Sequence, residues 1–185
     1  MKFAVFDTET TGLPLHRDAD IRQQPRIIEF GGIITDGESV LFEDQFICNP
    51  GMEIEQVITD ITGLTNADLK DQPPFSAFVP RVREYFAQAD AVIAHNLSFD
   101  KSMVYFDLAR IQQALPDVCW TEDTVEICTV EQTFFQYGKR MKLRDLYNLL
   151  VGPYVQSHRS LSDVMALHEV CKKVGVYEAF QKEPA

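Results

Sequence analysis

Residues 7 to 9 read Asp-Thr-Glu at the end of a short apolar run. The two-residue period of a strand turns Asp7 and Glu9 to one side and Thr8 to the other. Two carboxylates aimed at one spot repel each other unless they share a proton or a cation, and an oxygen-only cluster is what Mg2+ or Mn2+ prefers. Taken alone, the pair fits a solvated strand rim equally well. Two more acids stand where they can reach the same place. Asp100 falls in the first turn of a segment that reads as a helix, where by itself it would complement the helix dipole. Asp163 lies inside a later helix, where by itself it would be a surface residue. Acids at the end of a strand, on the next crossover helix and on the final helix converge at one end of an α/β sheet, and four acids with two cations would make a cleft for a phosphodiester.

The elements that must position these acids can be read from pattern. Residues 2 to 7 form an apolar run rich in Val and Phe, as a buried strand requires. Pro14 to Pro25 is polar and reads as a loop. Residues 26 to 35 and 40 to 48 read as two further strands, joined through Asp36-Gly37, a hairpin signal. Phe75, Phe78, Val79, Val82 and Phe86 recur at helical spacing, so a helix over 75 to 88 packs on the sheet. Ala91 to Ala94 is a short buried strand, and Ser98 is placed to cap a helix from Phe99 to about Gln113. Residues 118 to 128 hold the last strand. Residues 131 to 137, 143 to 150 and 161 to 174 are helical, with Gly175 as a stop. The expectation is α/β: a mixed five-stranded sheet with helices on its faces.

The 185 residues suit one domain, and no internal repeat or linker divides them. One domain over residues 1 to 180 and a short tail over 181 to 185 are expected. No segment supplies the roughly 18 uninterrupted apolar residues of a membrane span, and the amino terminus runs from Met1-Lys2 directly into Phe3 to Phe6 without a secretory signal. A cytoplasmic protein with no membrane partner is expected. Cys48, Cys119, Cys128 and Cys171 form no C-x-x-C pair and read as reduced thiols, and His168, Glu169 and Cys171 lack the further partners a metal site needs. The net charge of −11 argues against a large phosphate-gripping surface, though not against a small site neutralised by bound metal. Lys139, Arg140, Lys142 and Arg144 interrupt the acidity as a candidate phosphate guide; a solvated loop and helix face would look the same.

Four ordered blocks then carry a resemblance: Phe6-Asp7-Thr8-Glu9-Thr10-Thr11-Gly12, Arg26-Ile27-Ile28-Glu29, His95-Asn96-Leu97-Ser98-Phe99-Asp100 and His158-Arg159-Ser160-Leu161-Ser162-Asp163. In this order they resemble the DnaQ-like exonucleases, subgroup DEDDh, which include the proofreading subunits of bacterial DNA polymerase III. The resemblance implies a ribonuclease H-like fold and metal-dependent 3′→5′ hydrolysis of nucleic acid, preferably single-stranded DNA, to nucleoside 5′-monophosphates. It also implies that Asp7, Glu9, Asp100 and Asp163 hold two divalent ions, Mg2+ or Mn2+, that His158 is the general base, and that Thr8, Thr10, Leu13, Asn96 and Phe99 bind the terminal nucleotide. For Leu13 and Phe99, core packing is the alternative. Spacing supports the division of labour: five residues at 100° each put His158 and Asp163 about 140° apart on a helix, so His158 is expected on a loop before it.

The partners implied are the 3′ end of single-stranded DNA or RNA. Docking on a DNA polymerase subunit, and either a monomer or a homodimer, are compatible with the resemblance. An RNA-trimming enzyme of the same family and a catalytically inactive binding module are the alternatives; retention of every acid and of His158 speaks against the second. Two departures stand out. Ser160 occupies a position that is usually Ala, a small-for-small change. Thr62 precedes Gly63 where many relatives carry a substrate-contacting His, which puts that contact in doubt.

Overall fold

Along the first strand Phe3 and Val5 point to one side and Ala4 and Phe6 to the other, and all four are fully buried. A strand buried on both faces belongs in the middle of a covered sheet. The computed structural model, which describes residues 1–16 and 18–181, places β1 (Phe3–Thr10) there. With β2 (Ile27–Thr35), β3 (Val40–Ile47), β4 (Ala91–Ala94) and β5 (Val125–Cys128) it forms one five-stranded sheet in the order β3-β2-β1-β4-β5. The first three strands are antiparallel neighbours, whereas β4 runs parallel to β1 and β5 parallel to β4. The expected mixed sheet is therefore present. Its β2–β3 turn uses Gly37 at φ 100°, a conformation that favours glycine.

Ala4 and Phe6 face a core completed by α3 (Val79–Phe86) and α4 (Leu97–Arg110). Phe3 and Val5 face a second core under α7 (Leu143–Leu150) and α8 (Ser160–Val174). Tyr85 of α3 fastens the first layer, its hydroxyl donating to the carbonyls of Val5 and Ile33 at 2.8 and 2.9 Å. A smaller cluster of Ile28, Ile54, Leu64 and Leu69 lies beneath α1 (Gln56–Thr62) and α2 (Asn66–Leu69), two helices that the apolar pattern does not announce.

Several boundaries differ from the sequence-based expectation. The first strand continues past Asp7 to Thr10, because β2 pairs with it along the whole length. The helix expected over 75 to 88 divides into a 3-10 turn at Phe75–Phe78 and α3, whose first turn holds Pro80. Ser98 is not the cap of α4. The helix starts at Leu97 with Asn96 at the N-cap, because Leu97 begins the buried series continued by Asp100, Val104 and Leu108. The stretch expected as a strand over 118 to 128 narrows to β5, preceded by α5 (Leu115–Val118). α6 (Thr129–Tyr137) and α7 fall where expected, and Gly175 ends α8 in the left-handed conformation. α9 (Val176–Gln181) then follows, so Gln181 belongs to a helix, while the rest of the expected tail lies outside the described residues. All four cysteines are free, and no helix among the described residues is long and apolar enough to cross a membrane.

Candidate active site

The odd-numbered side of β1 that buries Phe3 and Val5 under α8 continues into Asp7 and Glu9. Here the helix approaches the sheet very closely. Gly31, the cross-strand partner of Asp7, lies under the first turn of α8, where an added Cβ would sit 2.4 Å from the Leu161 nitrogen and 2.6 Å from Ser160 Oγ. Only glycine permits that approach, which brings Asp163 over the pair on β1. Asp100 arrives from the other side of the sheet. It is buried on α4 and accepts from the Thr8 amide and hydroxyl at 3.0 and 2.8 Å through the same Oδ1.

Four carboxyl groups from β1, α4 and α8 thus share one end of the sheet, with little positive charge among them. Burial first, then repulsion from Asp100, Glu9, Asp163 and Glu29, raises the Asp7 carboxyl far above the ordinary range. Glu9 is pushed up to about 8, by burial and then by Asp163 and the other acids, with Arg159 opposing. Asp100 is pushed up to about 7 by burial, against the two bonds from Thr8. Asp163 is raised by burial as well, partly offset by hydrogen bonds from Gln156 and Tyr154 and by the nearby His158. Without a cation the site holds protons at neutral pH. Exchange of those protons for hard divalent cations is the chemistry such an oxygen-rich donor set favours.

His158 stands before α8, at φ 49° in the left-handed region. Its ring nitrogen, one oxygen of Glu9 and one of Asp163 all lie within 4.8 Å of one another, a grouping able to hold a metal ion. Glu29, whose role the motif alone does not reveal, accounts for this placement. It is fully buried, the one charged residue of β2, and accepts from Arg159 Nε at 3.0 Å, Arg159 Nη2 at 2.6 Å and the Ser160 amide at 3.0 Å. That clasp fixes the backbone between His158 and the start of α8. Tyr154 and Gln156 were also missed: the Tyr154 hydroxyl donates to Asp163 Oδ1 at 2.8 Å and the Gln156 amide donates to Oδ2. Tyr154, Gln156 and His158 follow one another at intervals of two residues, which was the available signal.

The residues expected to touch a nucleotide divide into two groups. Thr8 is buried with its hydroxyl committed to Asp100, and Thr10 is buried with its hydroxyl donated to the Gly12 carbonyl at 2.8 Å. Leu13 is 78% exposed, which removes core packing as its explanation. Asn96 is exposed at the start of α4, and Phe99 is half-buried against the α3–α4 core. Thr62 is buried, its hydroxyl donating to the Ile58 carbonyl at 2.9 Å. Near Cys171, His168 is buried with Nδ1 2.7 Å from the Tyr177 hydroxyl.

A mixed sheet of this order, flanked by helices and gathering acids at one end, has the ribonuclease H-like architecture of nucleases. The chain belongs to the DnaQ-like exonuclease family: the exonuclease family model RNase_T matches residues 4–171. It is 28% identical over 173 residues to a PolC-type DNA polymerase III of Caldanaerobacter subterraneus subsp. tengcongensis, covering 94% of this chain and 11% of the polymerase. It is 28% identical over 162 residues to the 3′-5′ exonuclease DinG of Bacillus subtilis, covering 88% of this chain and 16% of DinG. The chain therefore spans only a small part of these curated relatives. In fold it is similar to exonuclease X in complex with 5′ overhanging duplex DNA, with TM-score 0.67, 21% identity and coverage of 96% and 93% of the two chains. Exonuclease I of E. coli in complex with a dA16 oligonucleotide is also similar, with TM-score 0.76, 19% identity and coverage of 95% and 41%.

Proposed function

We propose that the protein is a metal-dependent 3′→5′ exonuclease that removes nucleoside 5′-monophosphates from single-stranded DNA. The observation that carries this reading is the cluster of four acids with raised proton affinity beside His158. The donor set fits hard divalent cations, so Asp7, Glu9, Asp100 and Asp163 would hold two ions, Mg2+ or Mn2+. When bound, such ions polarise a phosphodiester and lower the pKa of water beside it.

The chain's own residues do the rest. His158 takes the proton from the attacking water on a ring nitrogen. Thr8 holds Asp100 in place rather than meeting the nucleotide with its hydroxyl, and the Glu29–Arg159 clasp orients His158. The exposed Leu13 and the half-buried Phe99 supply apolar surface for the terminal base, while Asn96 and the backbone at Thr10 receive its sugar and phosphate. DNA is favoured over RNA because a PolC-type DNA polymerase III is among the relatives and two of the solved neighbours hold DNA, one of them a single-stranded oligonucleotide. By the same analogy the 3′ end being edited belongs to DNA under synthesis or repair, in the cytoplasm, with a polymerase as a candidate partner. The active unit is one domain over residues 1 to 180.

The test uses purified protein with DNA and RNA oligonucleotides labelled at either end, in Mg2+, in Mn2+ and in chelator. Metal-dependent release of 5′-mononucleotides from the 3′ end, faster on DNA, is expected. Release from the 5′ end, or undiminished cleavage in chelator, would overturn the proposal, and faster cleavage of RNA would reassign the substrate.

A further inference from the structure

α6 buries Val130 and Thr133, yet its outer side carries two large rings in water: Phe134 is 45% exposed and Phe135 is 86% exposed. Their ring centroids are 6.0 Å apart in an edge-on arrangement. With Glu131 and Arg140 they line a groove of about 180 Å³. Exposed Lys139, Arg140 and Lys142 follow immediately, and their side chains make no hydrogen bond or ion pair among the described residues; Arg144 is engaged by Asp145. Unpaired cations beside open aromatic faces, on a chain of net charge −11, are not explained by packing.

This surface is tied to the site. α6 springs from the end of β5, which is parallel to β4, and Thr129 Oγ1 lies 3.0 Å from His95 Nδ1. The other nitrogen of His95 lies 3.0 Å from the Met141 carbonyl, within the basic loop. One residue at the end of β4 thus holds both the root of α6 and the loop, and it directly precedes Asn96 and the helix that carries Asp100. The rings and cations consequently border the same end of the sheet as the acids.

We infer that Phe134, Phe135, Lys139, Arg140 and Lys142 form a second binding surface for single-stranded nucleic acid, holding the part of the strand upstream of the 3′ end being cleaved. The inference rests on the proposed exonuclease reading and deepens it. Rings stack on bases without regard to sequence, and lysine and arginine meet the phosphates. The acid cluster offers an anionic strand no positive charge of its own, so a basic and aromatic approach draws the strand in where the site itself does not. Charge decides the occupant: an apolar protein partner would be served by the phenylalanines, but not by Arg140 in the same groove and the exposed Lys139 and Lys142 that flank it in sequence.

The experiment compares kcat/KM in Mg2+ on a twelve-nucleotide dT strand, on a dT dinucleotide and on the p-nitrophenyl ester of thymidine 5′-monophosphate. Phe135→Ala is expected to lower the value on the long strand by about tenfold, the effect of one lost stack, and to leave both short substrates unchanged. Phe135→Tyr retains the wild-type value and Phe135→Leu does not. Arg140→Gln with Lys142→Gln flattens the salt dependence of long-strand binding, by about 0.7 in log–log slope per cation removed. Undiminished long-strand values in these variants, or a Phe135→Leu enzyme equal to wild type, would overturn the inference. So would a concentration-dependent dimer that Phe135→Ala abolishes, which would assign the face to a second copy of the chain. Cleavage of the ester by wild type and variants alike shows the site reading intact even where the surface fails, whereas a wild-type protein inert towards all three substrates removes both.

Discussion

Asp100 and Asp107 stand about two turns apart on one face of α4. Both are buried, and each accepts a backbone amide from another part of the sheet. Burial raises the proton affinity of both. They differ in what surrounds the charge. Asp107 receives Arg110 Nη1 at 2.7 Å and feels Arg26 as well, while Arg110 also donates to the carbonyls of Ile21, Gln24 and Pro25. That acid is the centre of a finished structural joint between α4 and the loop before β2. Asp100 has the Thr8 donors and its own amide but no cation among the described residues, and it shares its end of the sheet with three more acids. An acid answered by a cation within the fold maintains the fold; an acid facing other acids is where, on the proposed function, a cation from outside would bind.

The comparison breaks if substitutions on the two sides behave alike. The largest effect is expected at the unanswered cluster: Asp163→Asn should bring Mg2+-dependent cleavage to background while leaving the melting temperature equal or higher, since repulsion is relieved. Cleavage at the wild-type rate would remove Asp163 from the site. His158→Ala should lower kcat by about 10²–10⁴-fold with an unchanged melting temperature, as measured by single-turnover kinetics and thermal denaturation. Asp107→Asn should do the opposite, costing about 3 kcal/mol by leaving Arg110 buried without its partner, with activity per folded molecule retained. A stable Asp107→Asn protein would show that the joint is held by packing instead.

The pH dependence sharpens the contrast. In chelator, folded Glu9 and Asp100 keep their protons up to about pH 8 and 7 respectively. Unfolded carboxyls release theirs near about pH 4. The folded state therefore binds more protons between these limits. The contribution of these groups to stability is complete below the lower limit and is lost as pH rises through the upper ones. Thermal melts in chelator should accordingly fall between pH 5 and 8, and saturating Mg2+ should remove the fall. Identical melting profiles with and without Mg2+ would speak against metal binding at these acids. The smallest expected effect is at Ser160, whose buried hydroxyl has no hydrogen-bond partner among the described residues. Ser160→Ala should raise stability by about 1 kcal/mol, readable as a melting shift of a few degrees, with cleavage unchanged.

Local pattern made much of this legible. The alternation through Phe3 to Glu9 marks a strand that turns two acids to one side, and Ala91 to Ala94 followed by a helix marks the crossover carrying Asp100. What stayed hidden depends on partners far away in the chain. Glu29 and Arg159 are 130 residues apart, and no periodicity in either segment shows that one clasps the other. Asp100 and Asp107 look equivalent in sequence because the residues that separate them in kind, Thr8 and the loop carbonyls bound by Arg110, lie on other elements. Thr8 misled for a related reason: alternation turns it away from Asp7 and Glu9, but α4 approaches from that opposite side.

The seat of α8 on Gly31 also sets a schedule. β1 to β5 and α4 are all encoded before residue 130, so a ribosome that has delivered them has produced a sheet bearing Asp7, Glu9 and Asp100. His158, the Arg159 half of the clasp and Asp163 come afterwards, and the fourth acid joins the others only when the new helix slides over the bare backbone of the second strand. A chain that stops short of His158 therefore lacks both that residue and Asp163, and the four-acid cluster is assembled only once α8 is seated.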